Sequence, residues 1–204
     1  MTDFNAIAAT WDDDPAKVRR AREVAEAIRA AARLTPASSV LEYGCGTGLL
    51  GLSLAPYVAR VTLADSSDGM LEVLGRKLAG GAAANARALK LDLEHEPLPP
   101  GRYDLVCSLM TLHHVHDLDR VLPLLRAALV PGGTLCVADL DAEDGSFHGP
   151  GAGVHRGFDR TALGARLRAA GFGEPAFSTV HQIERIVDGA TRRFGVFLAV
   201  ARAP

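Results

Sequence analysis

Apolar positions along the chain repeat with two different periods. Over residues 15–34, Val18, Ala25, Ile28 and Ala32 return at helical spacing behind a capping Asp14 and a Pro15 at the first helical position. Short, nearly continuous apolar runs at 39–43, 60–64, 87–91, 103–109 and 134–140 suit strands covered on both faces. Between them, 49–56, 66–79 and 117–129 read as amphipathic helices, with Met70, Leu71, Leu74 and Leu78 on the inner face of the second. Pro131-Gly132-Gly133 is expected to stop the third helix ahead of the fifth strand. This alternation predicts right-handed crossovers and a doubly wound parallel sheet.

Beyond residue 140 the pattern changes. Residues 141–158 are polar, glycine-rich and without period, as a functional lid or a disordered loop would be. A helix is expected over 159–170, ended by Gly171, and then 176–183 with 193–202 as two closing strands that pair.

At 204 residues, 48% hydrophobic and 23% charged, the chain suits one globular domain with a sizeable core. Lys plus Arg number 22 against 24 Asp plus Glu, so no surface bias toward a nucleic acid is expected. No apolar run approaches the roughly 18 residues of a membrane span, and the acidic N-terminus lacks a signal-peptide pattern. Cys45, Cys107 and Cys136 show no C-x-x-C spacing and read as reduced, buried thiols. A cytoplasmic location follows as the default expectation.

Candidate chemistry centres on V-L-E-Y-G-C-G-T-G at 40–48, a buried strand turning sharply into a helix, where glycines permit positive φ and close ligand approach. Gly46, Gly48 and Gly51 also satisfy the dinucleotide pattern G-x-G-x-x-G, which alone is weak. Asp65, ending the second strand, is placed to accept two ribose hydroxyls in either case. Glu42 separates the alternatives: beside the ligand its carboxylate would repel a pyrophosphate and suit a cation. Asp92 can accept from an exocyclic adenine amine while Leu93 covers the ring.

Five ordered blocks then stand together: E-Y-G-C-G-T-G at 42–48, Asp65, L-D-L-E at 91–94, Y-D-L-V-C-S-L-M-T-L-H-H at 103–114 and P-G-G-T-L at 131–135. With these the chain resembles the class I S-adenosylmethionine-dependent methyltransferases, most of all the small enzymes similar to ubiquinone and menaquinone C-methyltransferases. The resemblance implies an α/β, Rossmann-like, doubly wound seven-stranded sheet, mostly parallel with an antiparallel last strand. It implies a single methyltransferase domain over 1–204: an N-terminal lid and helix at 1–36, a cofactor-binding core at 37–140, and a lid loop, helix and closing strand pair at 141–204. By matching positions, Glu42, Gly44, Cys45, Gly46 and Gly48 would line the methionine part of S-adenosylmethionine and Asp65 would hold the ribose. Ser66 and Met70 would flank the adenine, with Asp92 and Leu93 on its far side. Ser108 would approach the methionine ammonium through its carbonyl, and Trp11 would fold over the cofactor.

The implied activity is methyl transfer to a small-molecule acceptor by in-line displacement. Ser108-Leu109-Met110-Thr111 stands where enzymes methylating amino groups of bases carry N/D-P-P-Y/F, which argues against such acceptors. Two rivals remain: a cofactor-binding regulatory or partner subunit without turnover, and a nicotinamide-dependent oxidoreductase. The expected partner is a small molecule, with no nucleic acid and no membrane; the pattern assigns no oligomeric state.

His113 and His114, near His116 and Asp117, crowd the end of the fourth strand and are the candidate catalytic residues, as substrate contacts or a base. Structural hydrogen bonding is the competing reading. No metal is expected there, because adjacent residues on a strand point to opposite faces unless the strand has already turned. His148 and His155 in the long loop read as exposed or closing on an acceptor, and Asp139, Asp141, Glu143 and Asp144 as a solvated acidic loop.

Overall fold

A computed structural model describes residues 3–149 and 151–204. Met1, Thr2 and Pro150, which fall in the expected N-terminal lid and lid loop, lie outside the described residues. Seven strands form one sheet: β1 (Ser39–Tyr43), β2 (Arg60–Asp65), β3 (Ala86–Lys90), β4 (Tyr103–Leu109), β5 (Leu129–Leu140), β6 (Ala176–Val187) and β7 (Ala190–Arg202), in the order β3-β2-β1-β4-β5-β7-β6. The pairs from β3 to β5 are parallel, and β7 runs antiparallel to both β5 and β6. The expected mostly parallel sheet with a reversed last strand is therefore the one observed.

Helices α1 (Phe4–Ile7), α2 (Pro15–Ala31), α3 (Leu49–Leu54), α4 (Asp68–Ala79), α5 (Leu118–Ala127) and α6 (Arg160–Ala169) complete the chain. Period-two alternation in β5 sends Leu135 and Val137 into the core layer shared with Leu122 of α5 and Leu167 of α6, and Cys136 and Ala138 into the layer shared with Ile28 of α2 and Leu54 of α3. All three cysteines are buried and free. Side chains cap the helix starts: Asp14, Ser67, Asp117 and Asp159 accept the N–H of Ala16, Met70, Arg120 and Ala162. Among the described residues no helix is long and apolar enough to cross a membrane.

Three boundaries differ from the sequence expectation. Helix α2 stops at Ala31, and Arg33 takes a left-handed φ of 49°, where the periodicity alone would have run to residue 34. Pro131-Gly132-Gly133 does not separate helix from strand; it lies inside β5, whose pairing with β4 shifts register between Tyr103 and Leu105. Backbone bonds explain this: Gly132 N–H donates to Ala203 and Ala203 N–H to Gly133, so the C-terminal strand zips the turn into the sheet. The closing strands are longer than expected and meet at Asp188-Gly189, both with positive φ (51° and 78°). That Asp-Gly dipeptide is a hairpin turn signal legible in the sequence.

The strand order reverses direction between β1 and β4. The chain leaves β1 toward β2 on one side and returns to β4 on the other, which opens a crevice at their carboxyl ends.

Candidate functional site

The glycine turn follows directly from β1. Glu42 is buried within that strand and accepts the N–H of Gly51 at 2.8 Å, one of the donors that the first turn of α3 leaves without a helical partner. Burial pushes its carboxyl up to about 8, against the Gly51 bond and reinforced by the nearby Asp65 charge. A Cβ on Gly51 would lie 2.1 Å from Leu63 and 2.6 Å from the Glu42 oxygen. The last glycine of the G-x-G-x-x-G pattern thus serves helix-to-strand packing and the seat of Glu42. Gly44 has φ +70°, and the Thr111 hydroxyl donates to its carbonyl at 3.0 Å, docking the turn on the chain that leaves β4.

Asp65 braces the same turn from β2. One carboxylate oxygen accepts Gly46 N–H at 2.6 Å and the other Ser67 N–H at 2.8 Å. Burial raises its carboxyl above the usual range, and the two backbone bonds oppose the rise. Asp65 also lines the cavity, and a carboxylate oxygen can accept more than one donor. Asp92 follows β3, with its side chain accepting Glu94 N–H at 3.0 Å and sharing a 2.9 Å bond with the His95 ring.

The N-terminal segment closes over the crevice. The Asn5 side-chain oxygen accepts both Ser67 Oγ–H and Gly69 N–H at 2.8 Å, adding a second cap to α4 from another part of the chain. Asp12 accepts from the Thr47 hydroxyl at 2.6 Å and pairs with Lys77. These latches set Phe4, Ile7 and Trp11 against the cavity, with the Lys17 ammonium 4.0 Å above the Trp11 ring.

At the far end the backbone leaves β4 through Met110, a non-glycine residue at φ 54°, and a 3-10 turn over Leu112–His114. The strand has therefore turned before the histidines, so His113 and His114 both line the cavity. Asp139, fully buried at the end of β5, bonds the His113 ring through Nδ1 at 2.6 Å and accepts His113 N–H at 3.2 Å. His148 comes up from the long loop, its ring centroid 4.9 Å from that of His113 and 5.6 Å from that of His114. Burial pushes the His114 ring down to about 3 and that of His148 to about 4, with neighbouring histidines adding to both shifts, so each is neutral at physiological pH. Arg20 of α2 and Arg185 of β6 stand at the same end; Arg185 lies 4.2 Å over the Phe147 ring.

These elements enclose a cavity of about 510 Å³, within the size range of small-ligand sites. Of the residues singled out in the sequence, Trp11, Glu42, Gly44, Cys45, Gly46, Asp65, Ser66, Met70 and Asp92 line it, together with both candidate histidines. Gly48, Leu93 and Ser108 do not: Gly48 packs toward Leu74 and Leu63, while Leu93 and Ser108 are buried behind the surface. His155 faces away, its ring on the Val115 carbonyl and its N–H donating to His113, so it pins the loop. The four acids expected as one solvated cluster separate. Asp139 is buried on His113, Asp141 pairs with Arg160, Glu143 accepts Gly145 and Phe147 N–H, and Asp144 pairs with Arg192. A lone acid ending an apolar strand was the available signal for Asp139; for Thr111 and Arg20 no local signal exists.

Comparison with known proteins finds methyltransferases. A family profile described as a methyltransferase domain matches residues 40–133. The biotin biosynthesis bifunctional protein BioCD of Bordetella avium is 38% identical over 143 residues, covering 69% of this chain and 30% of that protein. The ubiquinone biosynthesis O-methyltransferase of Xanthomonas axonopodis is 32% identical over 149 residues, 71% of this chain and 62% of that one. These likenesses support a class I S-adenosylmethionine-dependent methyltransferase. The matched region spans less than two thirds of the length of either relative. In fold it is similar to the Haloferax volcanii chain solved with the Trm112 methyltransferase activator, at a TM-score of 0.78 and 21% identity, over 100% of this chain and 99% of the other. The cofactor of the family is S-adenosylmethionine, and the cavity lies where its glycine turn, Glu42 and Asp65 converge.

Proposed function

We propose that this methyltransferase moves a methyl group from S-adenosylmethionine to a small acceptor by in-line displacement. The observation that carries the reading is one continuous cavity with the glycine turn, Glu42 and Asp65 at one end and three histidines at the other. Asp65 holds the ribose hydroxyls with its carboxylate oxygens. Glu42, Gly44, Cys45 and Gly46 surround the methionine part, and Ser66, Met70 and Asp92 the adenine. Trp11 covers the cofactor, while Gly48, Leu93 and Ser108 support the wall from behind. His113 and His114 meet the acceptor, and Arg20 and Arg185 suit one that bears an acidic group.

In the reaction a lone pair of the acceptor attacks the methyl carbon and the S–CH3 bond breaks toward sulfur, leaving S-adenosylhomocysteine. The sulfonium is already electrophilic, so alignment and exclusion of water supply most of the help, up to roughly 7–11 kcal/mol in ideal cases. Titration calorimetry with S-adenosylhomocysteine is the first test, and absence of binding would sink the reading. Binding without S-adenosylhomocysteine formation from S-adenosylmethionine across pooled acceptors would instead point to a subunit without turnover.

Glu42 gives a pH signature. In the free protein its carboxyl is protonated up to about pH 8, and a bound sulfonium and ammonium favour the charged form. Cofactor binding is therefore expected to release a proton at pH 7, with affinity rising toward pH 8 by at most about tenfold per pH unit. Calorimetry in buffers of different ionisation enthalpy measures the release; Glu42→Gln abolishes it. The same shift makes the fold itself lose Glu42-linked stability as pH rises from about 4.5 through about 8.

A further inference from the structure

We infer that His113, His114 and His148 form a binding site for a divalent transition-metal ion of the zinc class, with one coordination position open to the cavity. One ring nitrogen from each residue lies within 4.8 Å of the others. A tetrahedral ion with bonds of 2.0–2.1 Å needs ligand atoms about 3.3 Å apart, a closure that ring rotation and a small shift of the His148 loop provide. Imidazole is the borderline-soft ligand suited to zinc, cobalt and nickel rather than to magnesium or calcium.

Two further observations separate this from three rings packed for burial. Asp139, wholly buried, bonds His113 Nδ1 at 2.6 Å, which leaves Nε2 as the free nitrogen. A carboxylate behind a histidine in this way is how metal-binding imidazoles are oriented and made more basic. Its placement is itself fixed, since one oxygen also accepts Leu140 N–H at 2.7 Å and the other His113 N–H. The second observation is His148 Nδ1, buried without a hydrogen-bond partner among the described residues. A buried polar atom of this kind is costly unless something outside the chain satisfies it.

Charge decides what the open position takes. Asp139 offsets one of the ion's two charges, while Arg20 and Arg185 line the same end of the cavity. The balance favours an anionic fourth ligand, a hydroxide or an ionised oxygen or sulfur of the acceptor. Only that last assignment rests on the methyl-transfer reading.

The test uses the full chain stripped with a chelator, without cofactor, and titrated with Zn²⁺ or Co²⁺. The wild type is expected to take up a single ion, with Co²⁺ giving the intense visible absorption of a four-coordinate site that shifts on adding azide as an anionic probe. His114→Ala and His148→Ala, checked for folding by circular dichroism, lose that absorption and bind at least tenfold more weakly. Asp139→Asn weakens binding by about ten- to a hundredfold. Equal affinity in the wild type and His148→Ala, or no Co²⁺ absorption in the wild type, overturns the site; an absorption that azide leaves unmoved overturns the open position. S-adenosylhomocysteine calorimetry on the same stripped protein tests the methyltransferase reading separately.

Discussion

Gly44→Ala is expected to abolish measurable binding of S-adenosylhomocysteine and to lower the unfolding free energy by about 2–5 kcal/mol. Two effects add. A side chain at φ +70° costs about 1–2 kcal/mol in the left-handed region. The new Cβ would also lie 2.0 Å from Thr111 Cγ2 and 2.4 Å from its hydroxyl, and overpacking of this kind typically costs about 1–3 kcal/mol. The strain cannot be relieved by a simple rotamer change, because the Thr111 hydroxyl bonds the carbonyls of both Gly44 and Leu109. The turn and the exit of β4 move together or not at all. Chemical denaturation measures the loss. Thr111→Ala in the same chain is expected to restore part of it, and a variant as stable as the wild type would mean that the turn is not seated on Thr111.

Asp65→Ala carries the second large effect. Its carboxylate holds the N–H of Gly46 and of Ser67, so truncation leaves two donors without their acceptor in a partly buried turn. It also removes the proposed ribose contacts, charge-assisted bonds worth on the order of 1.5–3 kcal/mol. Affinity for S-adenosylhomocysteine is expected to fall by about ten- to a hundredfold, as read by calorimetry. Asp65→Asn keeps the shape but only one acceptor oxygen, setting its NH2 against one of the two N–H donors, so stability is expected to fall along with affinity. A stability loss with affinity unchanged would confine Asp65 to bracing and place the ribose elsewhere.

Much of the fold was legible because it is local. Alternation of buried apolar runs with helical periodicity is written in neighbouring residues, and so are the cap Asp14 and the glycines of the turn. Pro131-Gly132-Gly133 was misread because a proline-glycine run signals a break in any local window. Its inclusion in β5 depends on Ala203, seventy residues away. The expected opposite facing of His113 and His114 gave way for a related reason. It assumed the alternation of a strand, and the positive φ of Met110, a residue without the glycine signature, turns the chain first.

The sequence by itself determined the order of strands and helices, the glycine turn with Asp65 at the next strand end, and the resemblance to methyltransferases, because each is read from short blocks of neighbouring residues. Tertiary structure alone decided what that turn rests on and what faces it. It placed Glu42 against Gly51 and Thr111 against Gly44, brought Asn5 to the start of α4, and gathered His113, His114, His148 and Asp139 from three separate segments. The physical reason is that burial and hydrogen bonding between distant segments are settled by the packing of the whole sheet, for which no local periodicity exists.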